Sequence, residues 1–400
     1  MTVTKKYVLL NLNINKYNTF IQMLFIGGTN MKTLFDKTKL LNMDMKNRFI
    51  RGALWEELAD EKGHMTQDLS TIYEELAKGG VGTIITGYAF VTEDEQPNPG
   101  MMGIYDDSFI SEYKAFTDKI HNLGANIIMQ IVYGGFMTNF NVDERTIWGP
   151  STIQNEVTGT WSKEISREEI KYLVSAYADG AKRVKESGFD GVEIHAGHGY
   201  LLSQFLSPYY NKRKDEYGGN IENRGRIIFE IFKAIRKVVG EDFPILIKLN
   251  SADYIKEGGL TQEDSLYVAK KLANLGIDAI EVTGGNESIK DVLDNNLGAA
   301  RTKVIVSKEN ESYFKDYAAK LAEEVDIPII LVGGNRHLEV MEELLNNTSI
   351  EYFTLSRPLT AEPNLINKWL NGDRKKTKCV SCNKCYNTPG KRCILNMRSF

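Results

Sequence analysis

The chain has 400 residues, 42% hydrophobic and 26% charged, which is ordinary for a folded globular protein and argues against disorder. Its formal net charge of −4 gives no electrostatic reason to expect nucleic acid or an anionic membrane as partner. No apolar run reaches the roughly 20 residues a membrane helix needs, and Asn and Lys interrupt the apolar patches of the N-terminal segment, so no signal pattern is read and a cytoplasmic location is expected.

Residues 1–30 are rich in Asn, Lys and hydrophobics without sustained periodicity, and are read either as an external N-terminal extension or as sequence ahead of a start at Met31. From Asn47 onward short apolar runs alternate with amphipathic segments. Strands are expected at 48–53, 82–90, 125–132, 191–194, 245–250, 279–283, 327–332 and 352–356. Helices are expected near 67–79, 108–123, 167–187, 221–239, 262–275, 311–324, 336–346 and 363–371. Ser166 with Glu169 has capping-box spacing, and Thr261 with Asp264 repeats it with a shorter acid. Eight strand–helix units predict an α/β protein with a (β/α)₈ TIM barrel over 31–373, preceded by the extension and followed by a cysteine-rich tail over 374–400. A doubly wound open sheet would show fewer units and a glycine-rich first turn.

In such a barrel the strand ends share one rim and form the site. That rim collects Ala53 to Trp55, Gly87 with Tyr88, Gln130, the trio His195, His198 and Tyr200, then Lys248, Gly285, Gly333 with Gly334, and Ser356 with Arg357. The last two strands matter most for ligand class. Two glycines allow close backbone approach and Ser-Arg adds a hydroxyl and a fixed cation, so a phosphorylated ligand is expected there. The stretch 190–226 carries the histidines and tyrosine into a long polar and aromatic segment, read as a cap over the site that reaches a new helix only near Ile221. Two histidines three apart do not make a metal site without a third ligand. All four cysteines, Cys379, Cys382, Cys385 and Cys393, lie near the C-terminus as a ligand cluster or a group of reduced thiols, not a disulfide scaffold.

With these residues in place the chain resembles the Old Yellow Enzyme family of flavin-dependent NAD(P)H oxidoreductases from about Met31 to Asp373. The matching stretches are MKNRFIRGALW, MQIVYGG, HAGHGYLLSQFLSPYYNKRKDEYGGNIENRGR, ILIKLNSADY, ILVGGN and LSRPLTAEP, in that order. The resemblance implies FMN across the barrel mouth. Ala53 and the Gly87-Tyr88 turn would border its ring, Gln130 would bond the pyrimidine edge, and Lys248 would stand near N1 and O2. Gly333, Gly334, Ser356 and Arg357 would hold the phosphate. It further implies hydride passing from NAD(P)H through the flavin to an electron-poor alkene, with His195 and His198 polarising a carbonyl or nitro oxygen and Tyr200 as proton donor. The expected partner is a small molecule, with an oligomer open and the loops at 133–166 and 285–310 deciding the substrate.

Two features depart from the family pattern. Trp55 stands where several relatives carry a flavin-tuning Cys or Thr. The Cys379-x₂-Cys382-x₂-Cys385-x₇-Cys393 tail is similar to the [4Fe–4S] segment of larger members such as 2,4-dienoyl-CoA reductase and trimethylamine dehydrogenase, with shorter spacing. An iron–sulfur cluster, zinc, or free redox-sensitive thiols all remain open for it. The alternative functions are a dienoyl-CoA reductase-like or amine dehydrogenase-like flavoenzyme, or a flavin and thiol redox sensor. A metal-dependent barrel hydrolase would be colourless.

Overall fold

Apolar runs buried on both faces form strands only where helices cover them, and that is how the eight runs are used here. The computed structural model describes residues 31–289 and 307–397. The expected extension at 1–30, most of the 285–310 loop and the last three residues of the tail lie outside these.

The barrel strands are β1 (Phe49–Arg51), β2 (Thr83–Ile85), β3 (Asn126–Val132), β4 (Gly191–Ala196), β5 (Ile245–Asn250), β6 (Ala279–Thr283), β7 (Ile329–Leu331) and β8 (Ile350–Thr354). All are parallel to their neighbours, β8 pairs with β1, and β3 pairs with β4, so the sheet closes. The outer helices are α1 (Gln67–Lys78), α2 (Ser108–Asn122), α3 (Arg167–Glu186), α4 (Arg226–Val239), α5 (Gln262–Leu275), α6 (Lys315–Glu324), α7 (Leu338–Asn347) and α8 (Leu365–Leu370). The expected (β/α)₈ barrel is therefore the fold.

Local chemistry sets the element ends. Ser166 caps α3 with both bonds of the capping box: Glu169 N–H donates to Ser166 Oγ (3.2 Å) and Ser166 N–H donates to the Glu169 carboxylate (2.7 Å). At α5 Thr261 Oγ1 accepts from Asp264 N–H (3.1 Å), while the Asp264 carboxylate is turned to Arg224. The apolar face of α4 buries Ile227, Ile228, Ile231, Phe232 and Ile235, each side chain of this size contributing about 1.5–3 kcal/mol on burial.

Three expectations are corrected. The run at 82–90 is two strands, β2 and a short Ala89–Phe90 piece that pairs with the end of β3. The helix expected at 221–239 is interrupted at Gly225. The cap after β4 is not irregular up to Ile221, because Leu201–Leu206 forms a fully buried helix directly after Tyr200.

Period two along the strands divides the barrel interior into layers. Ile50, Ile85, Ile128, Leu246, Ala279, Ile330 and Tyr352 fill the lower part, closed from below by Leu40, Met43 and Met45 of the hairpin Thr38–Leu40/Met43–Met45. Two residues further along their strands, Gln130, Lys248 and Glu281 form the next layer with Glu193, all fully buried or nearly so. Charge is thus placed immediately beneath the rim.

Candidate active site

The polar layer is a paired network. Gln130 Nε2 donates to Glu193, and Lys248 Nζ donates to Glu281. The pairs are cross-strand neighbours, Glu193 beside Gln130 and Lys248 beside Glu281. Burial, reinforced by the adjacent Glu281, pushes the Glu193 carboxyl well above the usual carboxylate range, with Lys248 and Gln130 opposing. Gln130 Oε1 is buried and has no hydrogen-bond partner among the described residues.

Above this layer a cavity of about 80 Å³ brings together Ala53, His198, Lys248, Gly333, Gly334, Ser356 and Arg357. Gly333 (φ +112°) and Gly334 (φ +79°) adopt backbone that side chains avoid, and a Cβ on Gly333 would meet the Tyr313 ring at 2.7 Å. The same cavity is lined by Arg336, which the sequence reading passed over. Its guanidinium is buried, donates through Nη2 to Ser381 Oγ, and has no hydrogen-bond partner among the described residues at Nε or Nη1. Burial pulls the Arg336 pKa down, opposed by Cys379 and helped by Arg357. Arg357 donates through Nη1 to Asn383. Both arginines therefore bind the cysteine tail as well as line the cavity, and Tyr386 of that tail is part of the lining.

The cluster at the end of β4 forms as expected. The His195 ring lies 5.3 Å from His198 and 4.8 Å from Tyr200 between centroids. Gly197 N–H donates to His195 Nδ1 (3.3 Å), which puts the proton of the neutral ring on Nε2. His198 has φ +58° and is anchored by its N–H to Asn250 Oδ1 (3.1 Å) and by Nε2 against Thr283 Oγ1 (2.8 Å). A histidine in this backbone region marks a site that the surroundings over-determine.

Gly87 is set back from the cavity lining. A Cβ there would meet Glu56 Oε2 at 2.5 Å and Leu54 O at 2.6 Å, so packing alone requires glycine. Glu56 is itself paired with Arg51 and bonded by the Tyr73 hydroxyl (3.2 Å). Trp55 donates Nε1–H to Pro99 O (2.9 Å), and Lys391 from the tail sits 4.2 Å from its ring centroid. The indole N–H is spent on the backbone, and the tail stacks over the ring.

Cys379, Cys382, Cys385 and Cys393 all line a small cavity of about 20 Å³ with Arg357 and Thr360. Among the described residues no three His, Cys, Asp or Glu side chains are grouped closely enough to hold a single metal ion.

A closed parallel barrel with a cationic, glycine-lined cavity beyond its last two strands has the arrangement in which (β/α)₈ barrels frequently bind a phosphate. Residues 33–376 match the NADH:flavin oxidoreductase / NADH oxidase family, and the chain belongs to that family, the one that includes the Old Yellow Enzyme. It is 32% identical over 359 residues to an NADH oxidase of Thermoanaerobacter brockii, covering 89% of this chain and 53% of that protein. It is 30% identical over 368 residues to a cinnamate reductase of Clostridium sporogenes, covering 88% and 55%. Among solved structures, a 2-naphthoyl-CoA reductase complex aligns with a TM-score of 0.79 at 28% identity, over 88% of this chain and 54% of that one. The chain spans about half the length of these relatives.

The residues present fit the FMN that the family implies. The buried Gln130 Oε1 without a partner, the two open nitrogens of Arg336 and the positive-φ glycines are the acceptor, donors and backbone that a flavin phosphate and its polar ring edge would satisfy.

Proposed function

We propose that the chain is an FMN-dependent NAD(P)H oxidoreductase that reduces an alkene conjugated to a carbonyl or nitro group. The observation that carries this reading is the packing of His195, His198 and Tyr200 into one cluster beside the glycine–arginine cavity. FMN, when bound, supplies hydride transfer from the nicotinamide to the substrate. Gly333, Gly334, Arg336, Ser356 and Arg357 would hold its phosphate, Ala53 would border its ring, and Gln130 with Lys248 would serve the polar edge. His195 Nε2–H, with His198 beside it, donates to the substrate oxygen and draws electron density from the double bond. Tyr200 gives its hydroxyl proton to the α-carbon. The histidine donors favour an oxygen-bearing acceptor over an amine, and the names cinnamate reductase and 2-naphthoyl-CoA reductase among the relatives fit a conjugated acyl substrate.

The test is the visible spectrum of the purified protein, followed by reduction with NADH and NADPH separately and reoxidation with cinnamate or cyclohexenone. A flavin spectrum, bleaching and recovery are expected. A colourless protein would sink the flavin reading, and bleaching with no recovery on any conjugated acceptor would point to a sensor.

The tail supports a second reading. Cys379, Cys382, Cys385 and Cys393 line one small cavity, and it is the similarity of their segment to the [4Fe–4S] segment of larger family members that favours an iron–sulfur cluster over zinc. Iron and sulfide in anaerobically purified protein are expected in near-equal amounts; zinc alone, or no metal, would overturn this.

A further inference from the structure

Tyr200 is buried against a second tyrosine. Its hydroxyl donates to Tyr88 Oη at 2.9 Å, with ring centroids 5.3 Å apart and residue exposures of 3% and 7%. Tyr88 follows β2 on the turn into Ala89–Phe90, and its ring also lies 6.2 Å from that of His195. Asn98 Nδ2–H donates to Tyr88 Oη (3.1 Å). The Asn98 contact uses a lone pair of Tyr88 and leaves its proton to be given elsewhere. A phenol hydrogen turns about its C–O bond, so two neighbouring hydroxyls that each hold a proton can reverse their bond.

We propose that Tyr88 is a proton-relay residue that acts through Tyr200, an inference that rests on the reading of Tyr200 as proton donor. With substrate bound, the Tyr200 hydroxyl turns to the substrate carbon and Tyr88 donates to Tyr200 Oη. As the Tyr200 O–H bond breaks and the C–H bond forms, the Tyr88 O–H bond breaks and a new Tyr200 O–H bond forms. The negative charge comes to rest on Tyr88 Oη, beside the Asn98 N–H, and is discharged by a proton from water. Without the relay a buried phenolate would be left at Tyr200, where charge is costly. The relay places it on an oxygen that already accepts an amide N–H.

The experiment compares FMN-loaded wild type, Tyr88→Phe and Tyr200→Phe by stopped-flow, following flavin reduction by nicotinamide and reoxidation by an alkene separately. A proton inventory in mixed H₂O and D₂O is taken on reoxidation. In wild type two protons in motion should give a curved inventory, a measurement that needs no variant. Tyr88→Phe should slow reoxidation by about 10–100-fold, at or below the foot of the roughly 10²–10⁴-fold range for a general acid, because Tyr88 acts only through Tyr200. It should also straighten the inventory and move the alkaline limb of the rate to higher pH, since a lost donor makes the Tyr200 phenolate harder to form. A purely structural Tyr88 would change the rate without moving the inventory or the limb. A linear wild-type inventory, or Tyr88→Phe with unmoved inventory and limb beside a slow Tyr200→Phe, overturns the relay alone. Tyr200→Phe with undiminished reoxidation overturns the donor reading and the relay with it.

Discussion

The two sides of the barrel mouth are finished in different ways. Beyond β7 and β8 the surface is backbone and guanidinium, with Gly333 and Gly334 in positive-φ conformations and Arg336 buried with two nitrogens lacking partners among the described residues. Beyond β4 the side chains are already tied to one another, Tyr200 to Tyr88 and His198 to Thr283. The first side keeps buried Arg336 donors that a charged ligand could take, so under the proposed function the ligand held there should add stability. The second is assembled in advance and should matter for rate more than for binding.

The largest effect is expected at the floor that both sides share. Lys248→Met leaves Glu281 buried without its cation, and should cost about 3–5 kcal/mol in urea unfolding, as for other broken buried pairs. An unchanged midpoint would mean the network is not ionised. Next comes the phosphate side: Arg336→Ala or Arg357→Ala should each weaken FMN retention by about 10–150-fold, the value of a charge-assisted hydrogen bond of about 1.5–3 kcal/mol. The fraction that keeps its flavin should still react with alkene at near the wild-type rate, and a parallel loss of that rate would erase the distinction between the two sides. Gly333→Ala should cost about 1–3 kcal/mol through backbone strain and the Tyr313 contact, read as a lowered melting temperature.

A separate effect, away from both sides of the mouth, is one of pH. Burial raises the Glu95 carboxyl to about 8, against the pull of Arg145 and the Gly134 N–H. The folded protein then keeps a proton that the unfolded chain loses near about pH 4.3. The stability this group contributes is complete below that value and is lost as pH rises towards 8. Glu95→Gln should flatten the fall in melting temperature between about pH 5 and 8, and an unaltered slope would show that Glu95 is ionised throughout.

The barrel is legible in the sequence because each strand is an apolar run, and Gln130 and Lys248 stand out as polar residues inside such runs. Arg336 was missed since a loop arginine after a glycine pair reads as a surface residue; its burial comes from the tail, whose contact with the rim has no local signal. The Tyr88–Tyr200 bond joins residues 112 apart and leaves no trace in periodicity. The helix at Leu201–Leu206 is too short to show an amphipathic pattern and is buried on all sides, so its run looks like any apolar segment. Gly87 was legible as a rim glycine, yet the reason for it is Glu56, and that packing is set by the fold.

The claim at the centre of this account is that the β4 side supplies the proton and the β7–β8 side holds the cofactor. Tyr200→Phe tests it most directly, with the two half-reactions followed separately on FMN-loaded protein. Flavin content and reduction by nicotinamide should stay within about twofold of wild type, while reoxidation by the alkene should slow by about 10²–10⁴-fold. Equal losses in both half-reactions, or none in reoxidation, would contradict it.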